Sequence, residues 1–303
     1  MRVENVRSEV NEMTPSMSTS ETPITAMEGR VSVITPPSIS AAKLIRDLVK
    51  LGQYRDLLYT LSVHRIKVRY KQSVLGGLWA ILQPVSLMLM FTFIFSFVAK
   101  IPSDGAPYAI FAYTALLPWN YFSSAVSNAT SSLVTNSQFV TKVYFPREIL
   151  PATYVIASFF DFVVASTIMW GLMVYYRVPL TMYALYAVPI ILILTCFAMA
   201  TSLFLSATQV RFRDIGVAVP LLMQLWLFAT PVIYPLSSVP LRFRSIYMLN
   251  PMVGVIENFR QVVLRGTAPD HRSLLIAAIL SSVLLVLSYL YFKHIETTMA
   301  DVI

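Results

Sequence analysis

The chain has 303 residues, 56% of them hydrophobic and only 13% charged, against roughly 25% charged in a soluble globular domain. Its formal net charge is +8, yet the lysines and arginines gather before Leu78 and then in short stretches between apolar runs, the pattern of one face of a membrane rather than of a nucleic-acid surface. A water-soluble enzyme and a nucleic-acid binder are thereby excluded, and the single cysteine, Cys196 inside an apolar run, excludes a disulfide framework and a Cys-based metal site.

Residues 1–40 are rich in Ser, Thr, Pro, Glu and Met without apolar periodicity and read as a disordered extension. They contain no apolar stretch before a small-residue cleavage site, so no signal peptide is expected. Residues 41–77 change character. Leu44, Leu48, Leu51, Leu58, Leu61 and Val68 recur near helical spacing among Lys43, Arg46, Lys50, Arg55, Arg65, Lys67, Arg69 and Lys71. This pattern predicts a basic amphipathic helix, too charged to span and suited to the membrane interface. Gly76 and Gly77 break it, and Trp79 marks the near boundary of the first long apolar run.

Residues 78–303 read as an all-α polytopic membrane domain. Six spans are expected: Leu78–Ala99, Tyr108–Leu133, Ile149–Tyr175, Tyr183–Ala207, Gly216–Pro235 and Ser273–Phe292. Each holds about 20 residues or more, enough at about 1.5 Å per residue to cross a hydrocarbon core of about 30 Å. Pro84, Pro118, Pro220 and Pro231 should bend the spans that carry them. The second span ends in small and hydroxylated residues, Ser123 to Ser132, which favour close helix packing or a wet lumen over lipid. Between the fifth and sixth spans, a shorter apolar run from Met252 to Leu264 is interrupted by Glu257 and Arg260. Too short to cross, it reads as part of a re-entrant helical pair dipping into the outer leaflet. Six crossings from a basic, inside N-terminus place Lys142, Arg147, Arg211, Arg213 and Lys293 in the cytoplasm, with both termini there. Arg242, Arg244, Arg260, Arg265 and Arg272, in the long outer connection, run against that rule.

A phosphate loop of the form G-x-x-x-x-G-K-[ST] does not occur, so an ATP-driven engine would be another polypeptide. His64, His271 and His294 are dispersed and suggest no metal centre. Asp161 lies mid-way along the third span, where an ionisable group costs about 2.5–3.5 kcal/mol. It should face protein or water, as a channel contact or hydrogen-bonded to a neighbouring Ser or Thr, and the other spans offer it no chargeable partner. Tyr113, Trp119, Tyr121 and Phe122 share an amphiphilic stretch with Asn120, Ser123, Ser124 and Asn128; such rings can guide sugars or simply pack. Glu257 and Arg260, three apart, share a helical face and can pair.

The most specific string is RYKQSVLGGLWAILQP at residues 69–84, with VYFPREILP (143–151), VRFRDIG (210–216), ATPVIYP (229–235), LNPM (249–252) and ETTMADVI (296–303) after it in order. Together they resemble the permease subunit of ABC-type polysaccharide exporters, a type-2 ABC family, over about Lys50 to Ile303. The resemblance implies a homodimer in the bacterial inner membrane, with a channel along the dimer axis. Each subunit would dock on a separate nucleotide-binding ATPase that supplies ATP and Mg; no cofactor is expected in this chain. The implied cargo is an undecaprenyl-pyrophosphate-linked polysaccharide, O-antigen first, with teichoic acid, capsular glycolipid or another amphiphile as alternatives. A membrane-embedded glycan or lipid transferase is a third reading, which would need a convergent acid, base or metal cluster.

The resemblance also implies site residues. Arg65, Lys67, Arg69, Lys71, Gly76, Gly77 and Trp79 would form the entrance for the lipid pyrophosphate, unless the basic residues only meet anionic lipid heads. Tyr113, Trp119, Tyr121, Phe122 and Asp161 would line the channel. Lys142, Tyr144, Arg147 and Glu148, with Arg211, Arg213 and Asp214, would couple to the ATPase, against the alternatives of an ordinary positive-inside loop and a salt-bridged bend. Glu257 and Arg260 would belong to a periplasmic gate or form a stabilising pair.

Overall fold

A computed structural model describes residues 52–71 and 73–299. The N-terminal extension, the first part of the expected amphipathic helix and the last four residues of the C-terminal string lie outside the described residues. All regular elements among the described residues are helical. Helix α1 (Arg55–Lys71) packs Leu57, Leu58 and Leu61 onto the bundle, while Val68 of the expected apolar face is exposed. The chain then turns at Gly76, whose φ of 50° lies in the left-handed region that favours glycine. Helix α2 (Trp79–Phe91) starts directly after this turn and widens into a π-helical segment, Thr92–Val98.

Helix α3 (Tyr108–Thr130) runs unbroken through Pro118 and leads into two short helices, α4 (Ser132–Thr135) and α5 (Ser137–Lys142). Helices α6 (Ile149–Tyr175) and α7 (Ala187–Arg211) are long and apolar, the latter preceded by a 3-10 turn at Met182–Tyr186. Helix α8 (Ile215–Ala229) is short; α9 (Leu241–Tyr247) and α10 (Pro251–Arg260) come next, and α11 (His271–Glu296) closes the described chain. Asn250 caps α10 by accepting from the Met252 amide, and Asp270 caps α11 by accepting from the amides of Arg272 and Ser273.

Among the described residues, four segments are long and apolar enough to cross a membrane: Gly76–Val98, Ile149–Tyr175, Met182–Arg211 and His271–Glu296. They coincide with four of the six expected spans. Their outward faces carry Leu275, Ile279, Val283 and Leu287 on α11 and Val163, Trp170 and Val174 on α6, all exposed, as lipid-facing residues should be. The other two expected spans depart from this pattern for different reasons. Helix α3 is enclosed by α2, α6, α7, α8 and α10, with Ile110 through Leu117 buried; a helix that meets protein on every side need not be apolar throughout. Helix α8 stops at Ala229 because Thr230, which precedes Pro231, is extended at φ −114° and ψ 141°. Pro231 therefore ends the helix rather than bending it, and 15 residues reach only about 22 Å.

Among the described residues the core falls into two clusters. One surrounds α3 with residues from α2, α6, α7, α8 and α10. The second gathers the ends of the chain's helices: Leu133, Val140, Ile149, Val210 and Phe292 meet Leu58 and Leu61 of α1. Lys142, Arg147, Arg211 and Lys293 flank residues of this second cluster, so one end of the bundle carries them all.

Candidate functional site

Helix α1 presents two kinds of basic residue. Ser62, Arg65 and Arg69 succeed one another at spacings of three and four and share the face that packs on α6. Arg65 donates to Asn136 Oδ1 at 2.6 Å and stacks over the Tyr154 ring, 4.3 Å from its centroid. Arg69 and Tyr70 both donate to the carboxylate of Asp161. Lys67 and Lys71 lie on the opposite, exposed face. The four entrance candidates are therefore not one patch: two clamp α1 to the bundle and two are exposed. Asp161 has the chargeable partner that the spans did not offer, because the partner comes from the amphipathic helix. Gln83, Asn120 and Ser158 line a cavity of about 50 Å³ beside it, so a polar seam joins α1, α2, α3 and α6 inside an apolar bundle. The turn at Gly76 lies just beyond, with Gly77 and Trp79 exposed after it.

The aromatic candidates are arranged differently from the channel lining expected of them. Tyr113, Trp119, Tyr121 and Phe122 are buried inside the subunit. Phe122 stacks on Phe197 with centroids 5.0 Å apart, Trp119 and Phe122 both meet Trp226 edge-on, and Tyr113 donates to the Ala165 carbonyl at 2.8 Å. They fill the core around α3, and only Tyr121 touches the small cavity beside Asp161. Amphiphilicity in α3 thus reflects protein contact on all sides.

Arg260 is the largest fully buried side chain, 0% exposed. Its guanidinium donates to the carbonyls of Pro231 at 2.7 Å and Val232 at 2.5 Å and lies 3.8 Å from the centroid of Phe111. Glu257, the expected partner, is 3.9 Å away and sits closer to Arg265, at 3.4 Å, which in turn reaches Asp104 at 2.6 Å. Arg260 therefore holds the non-helical turn after α8 and stitches it to α10 and α3.

At the basic end, Glu148 is 2% exposed and faces inward. Lys293 of α11 lies 2.8 Å from both Glu148 and Glu296, and Arg147 donates to the Glu296 carbonyl at 2.6 Å. Burial pushes the Glu148 carboxyl above the ordinary carboxylate range, and the Lys293 ammonium pulls against that shift. Glu148 is thus enclosed within the subunit, where a docking partner does not reach it, and Arg147 is half-committed to α11. Phe139, Lys142, Val143 and Tyr144 do project, Tyr144 at 98% exposure, as do Arg211, Phe212, Arg213 and Asp214 in the neighbouring loop. Two solvent-facing loops with aromatic and basic tips stand at this end.

The sequence profile of the ABC-2 type transporter family matches residues 56–264, from the start of α1 into the π-helical segment, Gln261–Arg265, that follows α10. This chain belongs to the ABC-2 type transporter family. The ABC-2 chain is 35% identical over 245 residues to the O-antigen export system permease protein RfbA of Myxococcus xanthus, a match covering 80% of the chain and 93% of the relative. It is 31% identical over 166 residues to the protein of the same name from Klebsiella pneumoniae, covering 54% of the chain and 63% of that relative. The family match encloses the Arg69–Asp161 clamp, the Arg260 stitch and both projecting loops; Lys293 lies beyond it.

Three contacts of this ABC-2 chain escape a reading by local pattern. Arg69 and Asp161 are 92 residues apart, and Lys293 and Glu148 are 145 apart, so no periodicity links them. The one available signal was the presence of lone charges, Asp161 and Lys293, in or beside apolar runs, which in a membrane demand a partner. Arg65 over Tyr154 carried no such signal.

Proposed function

We propose that this chain is the membrane subunit of an ATP-driven exporter that moves a lipid-linked polysaccharide of the O-antigen type across the bacterial inner membrane. The observation that carries the reading is the clamped amphipathic helix at a glycine turn leading into the first long span, in a chain 35% identical to an O-antigen export permease over 93% of that relative. Two such subunits form the channel, and each binds a separate nucleotide-binding ATPase through the loops tipped by Lys142 and Tyr144 and by Phe212, Arg213 and Asp214. The basic end faces the cytoplasm by the positive-inside rule, and both termini lie there. Helices α3 and α8 complete six transmembrane passages, with the turn around Thr230–Pro235 and the pair α9–α10 forming a re-entrant outer element held by Arg260. Lys67 and Lys71, exposed beside the clamp, meet the pyrophosphate of the lipid carrier, and Trp79 stands at the level where carrier and head group part.

Deleting the gene in a host whose surface polysaccharide is known tests this. Lipid-linked polymer should accumulate on the cytoplasmic side and disappear from the surface, and restoring the chain should restore display. Normal display in the deletion would sink the proposal. Purification in mild detergent should recover a stoichiometric ATPase carrying a phosphate loop; a chain recovered with none would favour an embedded transferase instead.

A further inference from the structure

Between α7, α8 and α11 lies a cleft of about 760 Å³, which shares the Phe197 and Trp226 rings with the packing around α3. Phe197, Thr201 and Phe204 form its α7 wall, Leu284, Leu287 and Tyr291 its α11 wall, and Trp226 stands at the back. Leu249 and Asn250, from the connection between α9 and α10, and Pro251, the first residue of α10, complete its lining. A cleft between two membrane-crossing helices opens onto hydrocarbon, so its natural occupant is a lipid chain.

Its geometry fits one leaflet. Phe197, Phe204 and Arg211 recur every seven residues and so lie on one face of α7; Leu287 and His294 do the same on α11. From Phe197 to Arg211 is about 21 Å along the helix, the thickness of half a bilayer with its head groups, about 20–22 Å. At the open end, Phe204 and Tyr291 pair with centroids 5.1 Å apart, and Arg211 and His294 are exposed beyond them. Among the described residues no carboxylate pairs with Arg211 or His294. A groove walled by apolar side chains, with an exposed guanidinium that no carboxylate pairs with about two helical turns beyond it on the same face of α7, is complementary to a hydrocarbon chain with an anionic head.

We propose that this cleft holds one anionic phospholipid from the leaflet at the basic end of the bundle, its acyl chain between α7 and α11 and its phosphate at Arg211 with His294 alongside. A carrier with a far longer isoprenoid chain would overrun a cleft of about 760 Å³. The bound lipid would stand in for the side-chain packing that short α8 does not supply, joining it to α7 and α11.

The full chain, purified in mild detergent with its accompanying subunit, can be offered an equimolar mixture of phosphatidylglycerol and phosphatidylcholine with identical acyl chains and read by native mass spectrometry. One phosphatidylglycerol per chain should be retained in preference, and Arg211→Gln should reduce that preference about fivefold, the worth of one cation beside an anionic lipid surface. Thr201→Trp and Leu287→Trp, which fill the cleft from opposite walls, should each abolish the retained lipid; two walls guard against one variant failing to fold. Equal retention of the two lipids, or retention unchanged in either folded tryptophan variant, would overturn the proposal. So would a disulfide between two copies each carrying Thr201→Cys, which would place a second copy over the cleft, or recovery of a polyprenyl carrier in place of the phospholipid.

Discussion

Arg260 shows how a buried cation can be structural without a close anion. Its charge is met by two backbone carbonyls and an aromatic face, with Glu257 at the edge of reach. Arg260→Ala would leave the Pro231 and Val232 carbonyls without donors in a dry site, and should cost about 3–5 kcal/mol, seen as a lower thermal midpoint of the purified protein. Arg260→Lys should not restore it, because a single ammonium lacks the planar fork that spans two carbonyls. The clamp on α1 is of another kind, since Arg69 and Asp161 retain 32% and 21% of their side-chain exposure. A double-mutant cycle between Arg69→Ala and Asp161→Asn should give a coupling of about 1 kcal/mol in thermal stability, with a larger effect on polysaccharide display than on folding. Additive effects would show that the contact does not hold the helix.

At the scale of elements, the turn after α1 depends on one backbone angle. A Cβ at Gly76 would meet no atom within 4 Å, so Gly76→Ala tests conformation alone and should cost about 1–2 kcal/mol. Gly77 has no positive φ, and Gly77→Ala should be nearly silent in the same unfolding measurement. The loop between α5 and α6 is tied down by the Glu148–Lys293–Glu296 cluster, and Lys293→Met should destabilise by several kcal/mol by stranding Glu148; adding Glu148→Gln should recover part of the loss. The sequence announced α1, α6, α7 and α11 clearly, because basic amphipathicity and long apolar runs are local properties. It also marked the Met252–Leu264 run, which holds most of α10, as too short to cross. It overextended α8 through Pro231, since hydropathy continued where the backbone could not remain helical, and it offered the α3 aromatics as a channel wall, since amphiphilicity alone does not tell water from protein. Glu148 looked like a surface charge because its partner, Lys293, stands 145 residues further on.

For the molecule as a whole, the division of labour is set by where polar groups sit. The basic end projects Phe139, Tyr144 and Phe212 beyond a tightly bonded base, so truncation at the tips should sever partner binding and spare the bundle. Tyr144→Ala should weaken recovery of the ATPase by about 2 kcal/mol of binding, the scale of an exposed aromatic anchor, with unchanged thermal stability of the chain itself. The opposite end is fixed by Arg260, Arg265 and Asp104 into an element with little freedom. Between them stands α3, the most enclosed helix and, unlike its neighbours α2, α6 and α7, outside the set apolar enough to cross by composition. Biosynthesis is constrained accordingly. A nascent segment which lipid alone does not hold has to wait at the translocon for companions, and α6 and α7, which supply much of its burial, emerge only after it. The subunit must therefore be assembled in the membrane as a group of helices rather than threaded in one at a time, and a chain cut short after Thr130 should leave that segment outside the bilayer.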